Sequence, residues 1–260
     1  MLLTFDVGNT ETTLGLYDGE ELRAHWRIMT EVARTADEVG VLLRGLLAGA
    51  DVALREIDGV AIGSVVPSVT TPLAEACRTW LAASRVEIVD ARSPLPITLQ
   101  VDEPLTVGAD RIINTLAASR KYGRDAIVVD LGTATTFDCI TKDAVFLGGV
   151  IAPGVRTSAE TLFRRTSKLP ATELVAPARM IGTRTEECIR AGVMFGAAES
   201  IDGVVQRIKA EWPNGDVPIV IGTGGLAETF APLCRSFDAV DPFLTLYGLT
   251  LAYRLLSGRS

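Results

Sequence analysis

The sequence predicts an α/β protein built from two similar halves, each a mixed sheet flanked by helices. Three observations carry that reading. Residues 2–17 read LLTFDVGNTETTLGLY and residues 126–141 read AIVVDLGTATTFDCIT. Each is an apolar strand ending in Asp-x-Gly, a small polar turn, a Thr-Thr pair and a second apolar strand, and such self-similarity is the mark of a repeated unit. Asp6 and Asp130, which end the two leading strands, stand nearly half of the 260-residue chain apart. Elsewhere short apolar runs alternate with stretches of helical spacing, as helices packed on sheets require.

The elements follow in order. After the first hairpin, Glu21 to Ile28 alternates apolar and polar positions as a third strand. Thr35-Ala-Asp-Glu38 has the form of a capping box, and Val39, Leu42, Leu43, Leu46 and Leu47 behind it share one helical face. Gly59 to Val66 reads as a buried strand, 72–83 as a helix and Val86 to Val89 as a strand. The proline-containing stretch 91–107 reads as a loop or linker, and 109–122 as a helix joining the halves. The second half repeats the plan with strands near 126–131, 134–141 and 144–151. Thr183 to Trp212 is one long helix, with Gly192 and Gly196 four apart, where another helix could approach, either within the chain or from a second copy. Val217 to Ile221 is a short strand leading into Gly222-Thr-Gly-Gly225, and a last helix spans roughly Leu244 to Leu256. The expected halves are 1–115 and 116–260.

Composition narrows the function. Hydrophobic residues make up 48% and charged residues 22%, which suits a buried core and excludes disorder, collagen and coiled coil. The net charge of −7 argues against a nucleic-acid surface, which needs clustered cations. A small phosphorylated ligand stays open, because backbone amides and a metal ion can hold it without lysines. No uncharged apolar run reaches the ~18 residues of a membrane helix, and the opening MLLTFDVGN lacks a signal peptide's basic region. No membrane association is expected. The cysteines Cys77, Cys139, Cys188 and Cys234 are far apart with no C-x-x-C, which points to reduced thiols and a cytoplasmic protein. The lone His25 is expected in a strand in a structural role, so acid–base chemistry falls to carboxylates.

Both Asp-x-Gly turns have the parts of a phosphate clamp. Glycine allows close backbone approach, amides and hydroxyls donate hydrogen bonds, and the aspartate can hold a charge-neutralising cation. Gly222-Thr-Gly-Gly-Leu-Ala227 fits G-x-G-x-x-A, but the 33 residues after it are too few for a dinucleotide fold. A turn against adenosine, or a plain helix start, fits better. No G-x-x-x-x-G-K-[ST] sequence occurs, which excludes a P-loop enzyme. Gly108-Ala-Asp-Arg111 opens a helix. It can be a cap with a surface ion pair, or Asp110 as general base beside Arg111 as a carboxylate anchor.

Together these residues resemble the acetate and sugar kinase, chaperone and actin superfamily. Within it the chain resembles the type III pantothenate kinases over nearly its whole length. The matching segments are DVGNT at 6–10, HWRI at 25–28, RTADE at 34–38, SVVP at 64–67, GADR at 108–111, DLGTATTFD at 130–138, GGVIAPG at 148–154, KLP at 168–170, TGG at 223–225 and DPFLTLYGL at 241–249. The resemblance implies two ribonuclease H-like lobes with the active site in the cleft between them. It implies ATP-dependent phosphorylation of pantothenate, the first committed step toward coenzyme A. Asp110 would accept the hydroxyl proton. Asp6 would hold Mg²⁺ beside the phosphates of ATP, the co-substrate. Val7, Gly8, Asn9, Thr10, Thr12 and Thr13 would line the first phosphate turn, Gly132 and Thr133 the second, and Gly224 and Gly225 the adenosine side. Asp130 would bind a monovalent cation, K⁺ or NH₄⁺. Gly108, Ala109, Asp110 and Arg111 would hold pantothenate with the segment around Val101, and Thr185 would reach the site of the mate in a homodimer.

Five positions depart from the family pattern. Val101 and Glu103 replace Tyr and Asn of a Y-D-N-P lead-in, Arg184 replaces Asn before Thr185, Glu11 replaces a small residue, and Tyr247 replaces a common Glu. None removes a carboxylate assigned to chemistry. An active enzyme with an altered pantothenate pocket is expected. The alternatives are a related small-molecule kinase with another hydroxyl substrate, or a nucleotide-binding regulator without activity.

Overall fold

The computed structural model describes residues 1–81, 83 and 85–258. The first hairpin is β1 (Leu2–Val7) and β2 (Glu11–Asp18), followed by β3 (Glu21–Met29), α1 (Ala36–Ala48), β4 (Gly59–Ser64) and α2 (Pro67–Trp80). Then come β5 (Arg85–Val89), β6 (Thr98–Leu99), α3 (Ala109–Tyr122), and the strands β7 (Ala126–Leu131), β8 (Ala134–Ile140) and β9 (Val145–Pro153). The remainder is α4 (Val155–Arg165), α5 (Thr185–Ala210), β10 (Ile219–Thr223), α6 (Ala227–Phe230), β11 (Ala239–Val240) and α7 (Leu244–Ser257).

The strands and helices read from the sequence are present, with shifted ends. The capping box forms as expected: Thr35 N donates to Glu38 Oε2 at 2.8 Å and Glu38 N donates to Thr35 Oγ1 at 3.3 Å. Helix α2 starts five residues before the expected position 72, because Pro67 occupies the first helical position, where its missing N–H costs nothing. Inside the expected loop, Thr98 and Leu99 pair with Val145 and Phe146. His25 lies in β3, as expected.

The chain divides into two compact units. The first holds Met1–Lys121, Ala144–Phe146 and the chain from Leu244 on, around a sheet of order β3-β2-β1-β4-β5. Leu3, Phe5, Val7, Leu14, Leu16, Val60 and Ile62 cluster with Leu43 and Leu47 of α1 and Leu73 and Ala74 of α2. Small residues pave the opposite face. A Cβ on Gly15 would lie 3.0 Å from Leu246, one on Gly63 would strike Ile113 of α3, and one on Gly59 would strike the Tyr253 ring. Those gaps let α7 lie directly on the strands. The last helix therefore belongs with the first sheet, whereas the sequence reading placed all of 116–260 in the second half. Arg85 fixes its end, donating to Leu256 O at 2.7 Å and Ser257 O at 3.3 Å.

The second unit comprises Tyr122–Asp143 and Leu147–Phe243. The second sheet runs β11-β10-β7-β8-β9-β6, and the β9 residues that pair with β6 are those grouped with the first unit. Ile127, Val129, Leu131 and Phe137 pack under Met194, Ala198, Ile201 and Val205 of α5. Among the described residues nothing lies within 4 Å of a Cβ added to Gly192 or Gly196 on α5, so no helix of these residues packs closely there. Among the described residues no helix is long and apolar enough to cross a membrane.

Candidate active site

In the first unit, strand alternation puts Asp6 on the face of β1 that carries Thr4, away from the Leu3, Phe5, Val7 core. Its register partner on β4 is Gly63, the glycine that touches Ile113 of α3. Asp110 lies one helical turn before Ile113 on α3. Asp6 and Asp110 therefore share one face of the sheet. The helix start is tied to the strand ends as well. Val65 N donates to Val7 O at 3.0 Å, and a Cβ on Gly108 would lie 3.3 Å from Val65 and collide with Asp110 Oδ1. Gly108 is glycine because the Asp110 carboxylate folds back over its Cα.

Arg111 N donates to Asp110 Oδ1 at 2.9 Å. Burial pushes the Asp110 carboxyl above its ordinary value of 3.8, against the opposing pull of that amide and of the Arg111 charge. A carboxylate raised in this way is a stronger base than a solvated one. Arg111 stacks over the Phe146 ring at 4.9 Å, which fixes its planar cation beside Asp110. Val101 follows Gln100, whose N–H bonds Phe146 O at 2.9 Å, and so adjoins the same group. Ala109 is buried and offers its backbone.

The first turn is closed by Gly8 N donating to Glu11 O at 3.1 Å. Asn9 is exposed and Thr10 and Thr13 are half-buried, whereas the Val7 side chain sits in the core and only its backbone can face a ligand. Thr12 is 4% exposed and its hydroxyl contacts that of Thr30 at 2.9 Å. Sequence reasoning missed Thr30. It donates from Oγ1 to Gly8 O at 2.8 Å and from its N–H to Thr10 O at 2.9 Å. Its only sequence signal was its place directly after the HWRI strand.

In the second unit, Asp130 is the last residue but one of β7, in register with Thr136 of β8 and Thr223 of β10. The turn is closed by Gly132 N donating to Ala134 O at 3.0 Å. Gly224 has φ +86°, and an added Cβ would collide with Asp130 Oδ1 and come within 2.9 Å of Leu131 N. The glycine is required by both backbone and contact, and the TGG turn is packed on the aspartate. Gly154 is a second residue the sequence reading left without a role: its Cβ would collide with the carbonyls of Gly132 and Thr133. Thr157 of α4 donates to Thr133 O at 2.7 Å. The GGVIAPG segment held that signal. Gly225 is exposed beside Gly224.

Thr185 is the exposed first residue of α5. With Cys188, Gly192, Gly196 and Leu162 it lines an open groove of about 660 Å³. The α5 start is wired by Glu187, whose Oε2 accepts from Thr183 N at 2.9 Å and Arg184 N at 3.3 Å. Among the described residues no three His, Cys, Asp or Glu side chains group as a metal cage. Asp6 and Asp130 each offer a single hard oxygen ligand set, which suits Mg²⁺ or an alkali cation completed by water and phosphate oxygens, and not zinc.

The chain is thus of the α/β class built on two mixed sheets flanked by helices, with an Asp-x-Gly hairpin in each unit. Solved structures agree on the fold. The chain is similar to component A of (R)-2-hydroxyglutaryl-CoA dehydratase from Acidaminococcus fermentans, with 15% identity, 98% of each chain covered and a TM-score of 0.57. It is also similar to the ROK hexokinase of Thermus thermophilus, with 12% identity, 100% and 99% covered and a TM-score of 0.52. Within that class the chain belongs to the type III pantothenate kinase family, whose model matches residues 2–207. It is 47% identical to the type III pantothenate kinase of Roseiflexus sp. over 98% of this chain and 99% of that one. It is 44% identical to that of Moorella thermoacetica over 97% and 98%.

Proposed function

We propose that the chain phosphorylates pantothenate, transferring the γ-phosphoryl group of ATP to its primary hydroxyl to give 4'-phosphopantothenate, the first step of coenzyme A biosynthesis in the cytoplasm. One observation carries this reading beyond family membership. The GADR helix start presents a carboxylate whose proton affinity is raised by burial, on the same sheet face as Asp6.

Asp110 accepts the hydroxyl proton as the alcohol oxygen bonds to the γ-phosphorus and ADP leaves. Gly108, Ala109 and Arg111 hold pantothenate, the guanidinium pairing with its carboxylate. Backbone amides at Val7, Gly8 and Asn9 and the hydroxyls of Thr10 and Thr13 would bind ATP phosphates. Gly132 and Thr133 would do the same, with Gly224 and Gly225 toward the adenosine. Asp6 would hold Mg²⁺, which supplies charge neutralisation at the phosphates. Asp130 would hold K⁺ or NH₄⁺; the buried Thr223 hydroxyl, its register partner, makes no hydrogen bond among the described residues and adds a second hard oxygen there. The open groove along Gly192 and Gly196 supports a homodimer in which Thr185 serves the mate's site.

A coupled kinase assay with pantothenate, with and without K⁺, tests the reading. Turnover that needs Mg²⁺ and rises with K⁺ is expected, and no phosphopantothenate would refute it. Val101, which cannot make a tyrosine's hydrogen bond, favours one second reading, a kinase of another alcohol. A substrate panel in which another alcohol clearly outpaces pantothenate would establish it.

A further inference from the structure

We infer that Thr30 and Thr12 form a two-hydroxyl relay that sets the direction of the first phosphate turn, with Thr12 acting as part of the relay and not as a phosphate ligand. The inference rests on the reading that this turn holds ATP phosphates.

Proton accounting carries it. A threonine hydroxyl has one proton to donate. Thr30 Oγ1 donates its proton to Gly8 O at 2.8 Å, so it can only accept across its 2.9 Å contact with Thr12 Oγ1. Thr12 is therefore the donor in that contact, and its only proton points toward Thr30. While the relay is intact, Thr12 has nothing to donate to a phosphate oxygen, and at 4% exposure it has little access to one.

The relay also fixes a peptide plane. In the trans peptide between Gly8 and Asn9 the carbonyl and the amide point in opposite directions. Pulling the Gly8 carbonyl toward Thr30 turns the Asn9 N–H to the far side, away from β3, as an anion donor. The Thr30 N–H holds Thr10 O at 2.9 Å and fixes the other end of the same turn. Such a turn is oriented before a nucleotide arrives, and less ordering remains to be done on binding. Thr30 is a positioning residue that touches no reacting atom.

The test is nucleotide binding by calorimetry, with ADP and Mg²⁺ and no pantothenate, on wild type, Thr30→Val, Thr12→Val, the double variant and Thr30→Ser. Thr30→Val is expected to weaken ADP about 10-fold, the scale of one lost buried hydrogen bond, with a matching rise in KM for ATP and a smaller change in kcat. Thr30→Ser, which keeps the hydroxyl, should restore affinity to within about 2-fold. In the double variant the two effects should not add, because either single change breaks the same relay. Fully additive losses would make Thr12 an independent phosphate ligand and overturn the relay. Unchanged affinity in Thr30→Val would also overturn it. If Thr30→Val does not fold, Thr30→Ser decides: affinity lost there despite the hydroxyl would contradict the inference. Wild-type protein that binds ADP but leaves pantothenate unphosphorylated would overturn the pantothenate reading while the relay still stands.

Discussion

The two Asp-x-Gly turns are the same hairpin braced in different ways. In both, an aspartate stands last but one in the leading strand, paired with a threonine on the return strand: Asp6 with Thr13, and Asp130 with Thr136. In both, a glycine N–H closes the turn, at 3.1 Å from Gly8 and 3.0 Å from Gly132. In both, a threonine from outside the motif holds a turn carbonyl, Thr30 on Gly8 and Thr157 on Thr133. The braces differ in depth. Thr30 works through a half-buried pair of hydroxyls, while Thr157 is exposed and acts through one. The aspartates differ too: Asp130 is pressed against Gly224, whereas the register partner of Asp6 is Gly63, which meets Ile113. The two hairpins share the position of the carboxylate and differ in what supports it.

That comparison can be broken at several points, the largest at the carboxylate beside the first turn. Asp110→Asn should lower kcat for pantothenate by roughly 10²–10⁴-fold, with ADP affinity unchanged. The same variant should be more stable than wild type at neutral pH, read as a higher Tm. The sign follows from the raised folded-state value: the folded protein binds the Asp110 proton more tightly than the unfolded chain, so its stability falls as pH climbs from about 3.8 through the raised value. Above that window the buried charge is a net cost that asparagine removes. A lower Tm for the variant at pH 7 would contradict this.

Next is Gly224→Ala. A side chain at φ +86° that also collides with Asp130 should cost about 1–3 kcal/mol and abolish the response to K⁺. Thermal melts and a K⁺ titration check both, and an unaltered K⁺ response would separate Asp130 from the cation. Gly108→Ala is gentler, because the flexible end of Asp110 can swing aside and Val65 need give only slightly. A kcat loss of about 10-fold with little change in Tm is expected. The smallest effect belongs to the exposed brace. Thr157→Val should weaken ADP by only about 2–3-fold, at the low end of a net hydrogen bond. A loss as large as that of Thr30→Val would show that depth of burial is not what separates the two braces.

Much of this was legible in the sequence, for local reasons. The hairpins, the Thr35 capping box, the α3 boundaries and the Asp-x-Gly turns are written in neighbouring residues, and the resemblance to type III pantothenate kinases rested on them. What escaped depends on contacts distant in sequence. Helix α7 returns to the first sheet because Gly15, Gly59 and Gly63, spread over three segments, leave room for it. Gly154 shows no role among its sequence neighbours, because what it meets is the Thr133 carbonyl. Thr30 lies just past the strand read at Glu21 to Ile28, and nothing near it in sequence shows that its hydroxyl meets a glycine 22 positions earlier. For Gly192 and Gly196 the sequence leaves the neighbour open, and only the structure shows that among the described residues nothing lies within 4 Å of a Cβ added there.

The most direct test of Asp110 as the base is the pH dependence of kcat/KM for pantothenate. Wild type should lose activity on the acid side with an apparent pKa above the ordinary aspartate value of 3.8, and the residual activity of Asp110→Asn should lack that limb. An acid limb that persists unchanged in Asp110→Asn would place the base elsewhere.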